Sequence, residues 1–132
     1  MTTSDLPAEG QPDVSTEGTE APFDDVITLS TSTSEDGVVT VTVVGEVDTF
    51  TAPVLRSTLD SQLEQQPREL VIDLSGVQFL GSAGLAVLVE TQKSSRARDV
   101  ALRLIATTRA VTRPLEVTGL IDLFTIADST AR

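Results

Sequence analysis

The chain has 132 residues, enough for one domain with a core of its own. Its 20 acidic and 9 basic residues leave a net charge of −11, which argues against nucleic acid and against an anionic membrane surface as partners. It contains no Cys, His, Trp or Tyr, which excludes disulfides, thiol catalysis, a histidine base, Cys/His zinc ligation and an aromatic platform for bases or sugars.

Residues 1–24 hold Asp5, Glu9, Asp13, Glu17, Glu20 and Asp24, three prolines, no basic residue and few large apolar groups. Such a composition cannot bury enough surface to offset ordering entropy, so an acidic, disordered N-terminal tail is expected at 1–24 and a folded domain at 25–132. No basic-then-apolar leader and no run of 18 apolar residues is present, so a cytoplasmic protein is expected, with no transmembrane helix.

Val26 to Thr31 alternates in part and is expected to be a strand. Ser34-Glu35-Asp36-Gly37 has turn chemistry. Val38 to Val44 places Val39, Val41 and Val43 on one face and Thr40 and Thr42 on the other, which makes a hairpin with the first strand. Gly45-Glu46-Val47-Asp48 is expected to end it. Thr51 as a cap and Pro53 in the first turn open a helix whose buried stripe is Leu55, Leu59 and Leu63, stopped by Pro67.

Leu70, Val71, Ile72 and Leu74 form an apolar run suited to a central strand covered on both faces. A short loop then leads to Gly81-Ser82-Ala83-Gly84, with Ser82 expected to be the N-cap of a second helix that ends near Ser94-Ser95. Val100 to Ala106 is a further strand. Thr107 or Thr108 caps a third helix carrying Val111, Leu115 and Val117, which Pro114 should keep short or kinked and Gly119 should end. Leu123 to Ala127 is the last strand. The order β-β-α-β-α-β-α-β predicts an α/β fold. It is a mixed sheet with an N-terminal hairpin followed by alternating α/β units, their helices packed on the faces of the sheet.

Ser82 is the residue where function is expected. As a nucleophile it lacks a base: there is no His, and Lys93, the only lysine, lies eleven residues further along the same predicted helix. At about 1.5 Å per residue that is roughly 16 Å away. A glycine immediately precedes the serine, which is not the Gly-x-Ser-x-Gly spacing of a nucleophile elbow. No Gly-Lys-Ser/Thr is present to cradle a nucleotide phosphate. Catalysis is therefore not expected, nor is a metal or cofactor. As a cap, Ser82 would sit exposed at a loop–helix junction, within reach of a modifying enzyme. Asp48 is expected either to supply turn and cap chemistry for the first helix or to position the serine loop and contact a partner.

The segment Asp73-Leu-Ser-Gly-Val-Gln-Phe-Leu-Gly-Ser82-Ala-Gly-Leu85 lies between Gly45-Glu-Val-Asp48 upstream and Leu115-Glu-Val-Thr-Gly-Leu120 downstream. Together they resemble the anti-sigma-factor antagonist (STAS domain) family, over about Asp25 to Asp128. The resemblance implies a STAS-like fold and a non-enzymatic bacterial regulator. It implies binding to an anti-sigma factor that is also a serine kinase, release of the sigma factor, inactivation by phosphorylation at Ser82, and reset by a serine phosphatase. By the same resemblance the partner-binding residues are Asp48, Gly81, Ser82, Ala83 and Gly84. Many members have Asp before the serine and Ser or Thr after it, where this chain has Gly81 and Ala83. The alternative that these two positions keep open is a non-phosphorylated STAS scaffold or accessory subunit of a larger regulatory or transport assembly.

Overall fold

The structure, a computed structural model, describes residues 27–127, so the tail expected at 1–24 lies outside the described residues. Two strands open the described chain, β1 (Thr28–Thr33) and β2 (Val38–Val47). They pair antiparallel from Thr28 opposite Val44 to Thr33 opposite Val39, around a turn in which Gly37 has φ +85°. There follow α1 (Ala52–Glu64), β3 (Glu69–Leu80), α2 (Ser82–Ala97), β4 (Ala101–Ile105), α3 (Arg109–Val117), a 3₁₀ turn at Leu120–Leu123, and β5 (Thr125–Ala127). The strands lie in sequence order, β1-β2-β3-β4-β5, and every pairing after the hairpin is parallel.

This order places the helices. Three crossovers of the usual right hand, each stepping one strand in the same direction, put α1, α2 and α3 on one face of the sheet. The core agrees. Val39, Val41 and Val43 of β2, Leu70, Ile72 and Leu74 of β3, and Leu102 and Leu104 of β4 join one buried cluster with Leu55, Leu59 and Leu63 of α1, Leu85 and Leu88 of α2, and Val111 and Leu115 of α3. Alternate strand positions face away from the helices. Val71 and Ile105 are such positions and are buried as well, at 1% and 2% exposure, outside that cluster. The described helices thus gather on one face, and on the other β3 buries Val71 while Glu69 and Asp73 are half-buried and Ser75 is exposed, so the central strand is fully covered only on its helix side.

Several boundaries differ from expectation, and glycines explain the main ones. Gly45 does not end β2 and Ser75-Gly76 does not end β3. The two strands continue side by side to Val47 and Leu80, with register shifts at Thr42/Val44 and Gly45/Glu46. Gly45 takes φ +116°, and a Cβ on Gly76 would lie 2.9 Å from Val44 Cγ2. These glycines permit bulges and a close approach of the strands where the sequence pattern reads as turns. At the C-terminal end, Gly119 has φ +77° and stops α3 as expected, but the chain then makes the 3₁₀ turn before a shorter β5. Pro114 is accommodated inside a helix of only nine residues. α2 runs three residues or so beyond its expected end, to Ala97.

Candidate functional site

The C-terminal ends of β2 and β3 lie side by side, and the loops that follow them meet there. β3 stops at Leu80, and Gly81 is extended (φ −89°, ψ −178°), with α2 starting at the next residue. Gly81, not Ser82, is therefore the N-cap. The strand reaches further than expected, so the turn into the helix falls one residue earlier: the Gly81 carbonyl accepts from Leu85 N at 3.0 Å and closes the first turn. Ser82 becomes the first helical residue. It is exposed, no side chain caps the helix, and the first turn carries no acidic residue. The amides of residues 82–84 have no intrahelical acceptor, as in any first turn, and point where an anion on Ser82 would sit.

Two contacts fix this serine against β2. Gly81 N donates to the Val47 carbonyl at 2.9 Å. Gly84 is buried, and a Cβ there would lie 2.5 Å from Val47 Cγ1 and 2.7 Å from Leu80 Cδ1. Only a glycine lets the start of α2 press onto the strand ends this closely. Gly81 is under less pressure: its Cβ would meet the Phe79 ring at 3.0 Å, and that ring is half exposed and can move. Ala83 is half-buried between them.

Val47 also leads into Asp48, so the same contacts bring Asp48 beside the serine loop. Asp48 Oδ1 accepts from Phe50 N at 2.9 Å and Thr51 N at 3.0 Å. In return, Thr51 Oγ1 accepts from Asp48 N at 2.9 Å and donates to the Glu46 carbonyl at 2.8 Å. The Asp48 carbonyl takes Ala52 N at 2.8 Å. These are reciprocal bonds in the turn that leads into α1, in line with the turn chemistry expected for Asp48, while Thr51, the N-cap, makes no side-chain cap bond of its own. The amide of Thr51, followed by that of Phe50, holds the Asp48 carboxyl below the usual carboxylate range against the opposing pull of burial.

All five residues expected at the site, Asp48, Gly81, Ser82, Ala83 and Gly84, thus share one rim of the sheet. Sequence reasoning missed its apolar part. Phe50 is 88% exposed on the loop that Asp48 braces, Phe79 is 50% exposed beside Gly81, and Val54 is 50% exposed in the first turn of α1. The available signal was that two of only four Phe in the chain fall in loop-flanking segments next to the serine motif. Lys93 lies on α2 with Ser82, eleven residues on, so its amine does not reach the hydroxyl. Among the described residues no group of three His, Cys, Asp or Glu is placed to hold a metal ion. No described helix is long and apolar enough to cross a membrane.

The model of the STAS domain family matches residues 30–132. The chain is 34% identical over 100 residues to the anti-sigma-F factor antagonist RsfB of Mycobacterium tuberculosis, covering 76% of this chain and 80% of that protein. It is 30% identical over 99 residues to an anti-sigma-B factor antagonist of Staphylococcus aureus, covering 75% of this chain and 92% of that one. The crystal structure of an anti-sigma factor antagonist from Mycobacterium paratuberculosis superposes with a TM-score of 0.74 at 37% identity, covering 85% of this chain and 92% of that chain.

Proposed function

The chain belongs to the STAS domain family, and from that premise we propose that it is an anti-sigma-factor antagonist switched off by phosphorylation at Ser82. In its unphosphorylated form it binds an anti-sigma factor that is also a serine kinase, and the sigma factor is released. The kinase partner then phosphorylates Ser82, the complex dissociates, and a serine phosphatase restores the active form. The protein itself is a binding regulator, not an enzyme, and works in the cytoplasm.

The observation that supports this reading best is the placement of Ser82: exposed, first in α2, ahead of free first-turn amides, on a rim that also carries exposed apolar side chains. Such a hydroxyl is a poor nucleophile and a good acceptor. A phosphate there adds about −1.5 to −2 charges, which the helix N-terminus tolerates. The surrounding surface does not. Phe50, Phe79 and Val54 provide apolar area for a partner to cover, and a dianion desolvated at the centre of such an interface is costly unless met by new donors. Phosphorylation therefore acts on the interface and leaves the fold in place.

The test uses the purified anti-sigma factor and ATP. The wild type should take up one phosphate, located at Ser82 by mass spectrometry, and lose affinity on doing so. Ser82→Ala should bind without being switched off, and Ser82→Glu should bind at least tenfold more weakly. Equal phosphate uptake by wild type and Ser82→Ala would move the site elsewhere.

A further inference from the structure

Residues 49–55 and 74–89 contain no charged side chain, in a chain of which 22% is charged. The first segment is the loop after β2 with the first turn of α1. The second is the end of β3, Gly81 and the first half of α2. They meet at the Ser82 rim, and the charges that border them in sequence are all engaged. Asp48 accepts from the amides of Phe50 and Thr51. Asp73 Oδ1 accepts from Ser75 N at 3.0 Å and from Ser75 Oγ at 2.6 Å. Arg56 of α1 and Glu90 of α2 pair with each other at 3.0 Å and close the neutral field on the helix side. Glu46, half-buried opposite Phe79 on β2, is a charge at its margin.

Within this field Phe50 has an exposed ring on a fixed backbone. The residue is 88% exposed, yet its N donates to Asp48 Oδ1 at 2.9 Å. The next residue, Thr51, is 7% exposed and is held through both its amide and its hydroxyl. Val54 and Phe79 are each 50% exposed on the same rim. A large ring on a loop that is already ordered loses little freedom when it is covered, which is the property of an interface anchor. Depletion of charge together with exposed aromatic rings is the composition of an interface core. A second copy is a poor occupant, because a chain of net charge −11 repels its own kind. A different protein with an apolar pocket fits.

We propose that Phe50 is the anchor by which the chain enters an apolar pocket of its anti-sigma partner, flanked by Val54 and Phe79, and that Asp48 is a positioning residue acting through Phe50. The identity of the partner rests on the function proposed above.

The experiment is isothermal titration calorimetry of the full chain with the same purified anti-sigma factor, without ATP, so that it reads binding apart from phosphorylation. Phe50→Ala should weaken binding at least about thirtyfold and leave the urea midpoint unchanged. Asp48→Ala should weaken binding too, and Asp48→Asn, which keeps an acceptor oxygen, should restore it. Asp48→Ala added to Phe50→Ala should cost nothing further, and a further loss would overturn the positioning role. Phe50→Ala binding within threefold of the wild type, while Ser82→Glu still binds weakly, would overturn the anchor and leave the switch standing. Weak binding by Phe50→Ala in a chain that takes up no phosphate at Ser82 would support the anchor and remove the switch. A wild type that does not bind the anti-sigma factor would overturn the proposed function and the anchor with it. A wild type that sediments as a dimer, made monomeric by Phe50→Ala, would put a second copy on this rim and overturn the proposal.

Discussion

A single missing methyl group sets the position of the candidate switch. Gly84 allows α2 to start against Val47 and Leu80, where any Cβ would stand 2.5 Å and 2.7 Å from their side-chain carbons. Gly84→Ala should cost about 1–3 kcal/mol by overpacking and push the helix start away from β2, weakening the bond from Gly81 N to the Val47 carbonyl. Gly81→Ala, whose Cβ meets the half-exposed ring of Phe79 at 3.0 Å and the Val47 carbonyl only at ordinary contact distance, 3.5 Å, should cost less than about 1 kcal/mol. Urea unfolding of the two variants checks the ranking, and a larger loss from Gly81→Ala would reverse it. Asp48 gives a pH signature at the same rim. Its folded pKa is lowered by the amides of Thr51 and Phe50, so the stability it contributes is complete above the ordinary carboxylate pKa of about 3.9 and is lost as pH falls through the lowered folded value. Asp48→Asn cannot titrate. The gap in urea midpoint between wild type and Asp48→Asn should be widest at neutral pH and narrow toward pH 3. A gap that stays constant with pH would mean that the carboxylate charge contributes nothing to this turn.

At the scale of elements, the helix that carries Ser82 decides how a negative charge there is felt. Ser82 is the first residue of α2, and no acidic side chain shares its turn. A negative charge at this position lies along the favourable end of the helix dipole, so Ser82→Glu should leave stability unchanged or raise it by about 0.3–1 kcal/mol. Loss of partner binding together with retained thermal stability is the expected combination, and a markedly destabilised Ser82→Glu would mean that the switch works by unfolding. The sequence made the elements themselves legible because their patterns are strong: Val39, Val41 and Val43 alternate, and Leu55, Leu59 and Leu63 recur every four residues, so strand and helix followed directly. It misjudged where β2 and β3 end, at Gly45 and Gly76, for one shared reason. A glycine in a strand reads the same whether it ends the strand or bulges it, and only the pairing partner decides. That ambiguity hid the last residues of β3 and moved the cap from Ser82 to Gly81. Phe50 and Phe79 were hidden differently. Exposure of a large apolar residue is a property of the assembled rim, and no local pattern encodes it.

The whole molecule separates what must stay rigid from what must be read. Right-handed crossovers stepping in one direction gather the helices on one face and point the C-terminal ends of the parallel strands toward the edge of the sheet that carries Ser82. β3 is paired on both sides, with Leu70, Ile72 and Leu74 at 0% exposure, whereas β1 is an edge strand with five of its six residues exposed. Amide exchange should follow that order, slowest along Leu70–Leu74 and fastest in β1, because exchange in the central strand needs global opening and the edge needs only local fraying. A phosphate on Ser82, as proposed, would add its charge at the end of this framework, beyond the last paired residue of β3. Hydrogen–deuterium exchange of the phosphorylated and unphosphorylated protein should therefore differ only in the first turn of α2 and the adjoining loop from Asp48 to Thr51. Loss of protection along Leu70–Leu74 on phosphorylation would place the switch in the core and contradict a mechanism confined to the interface.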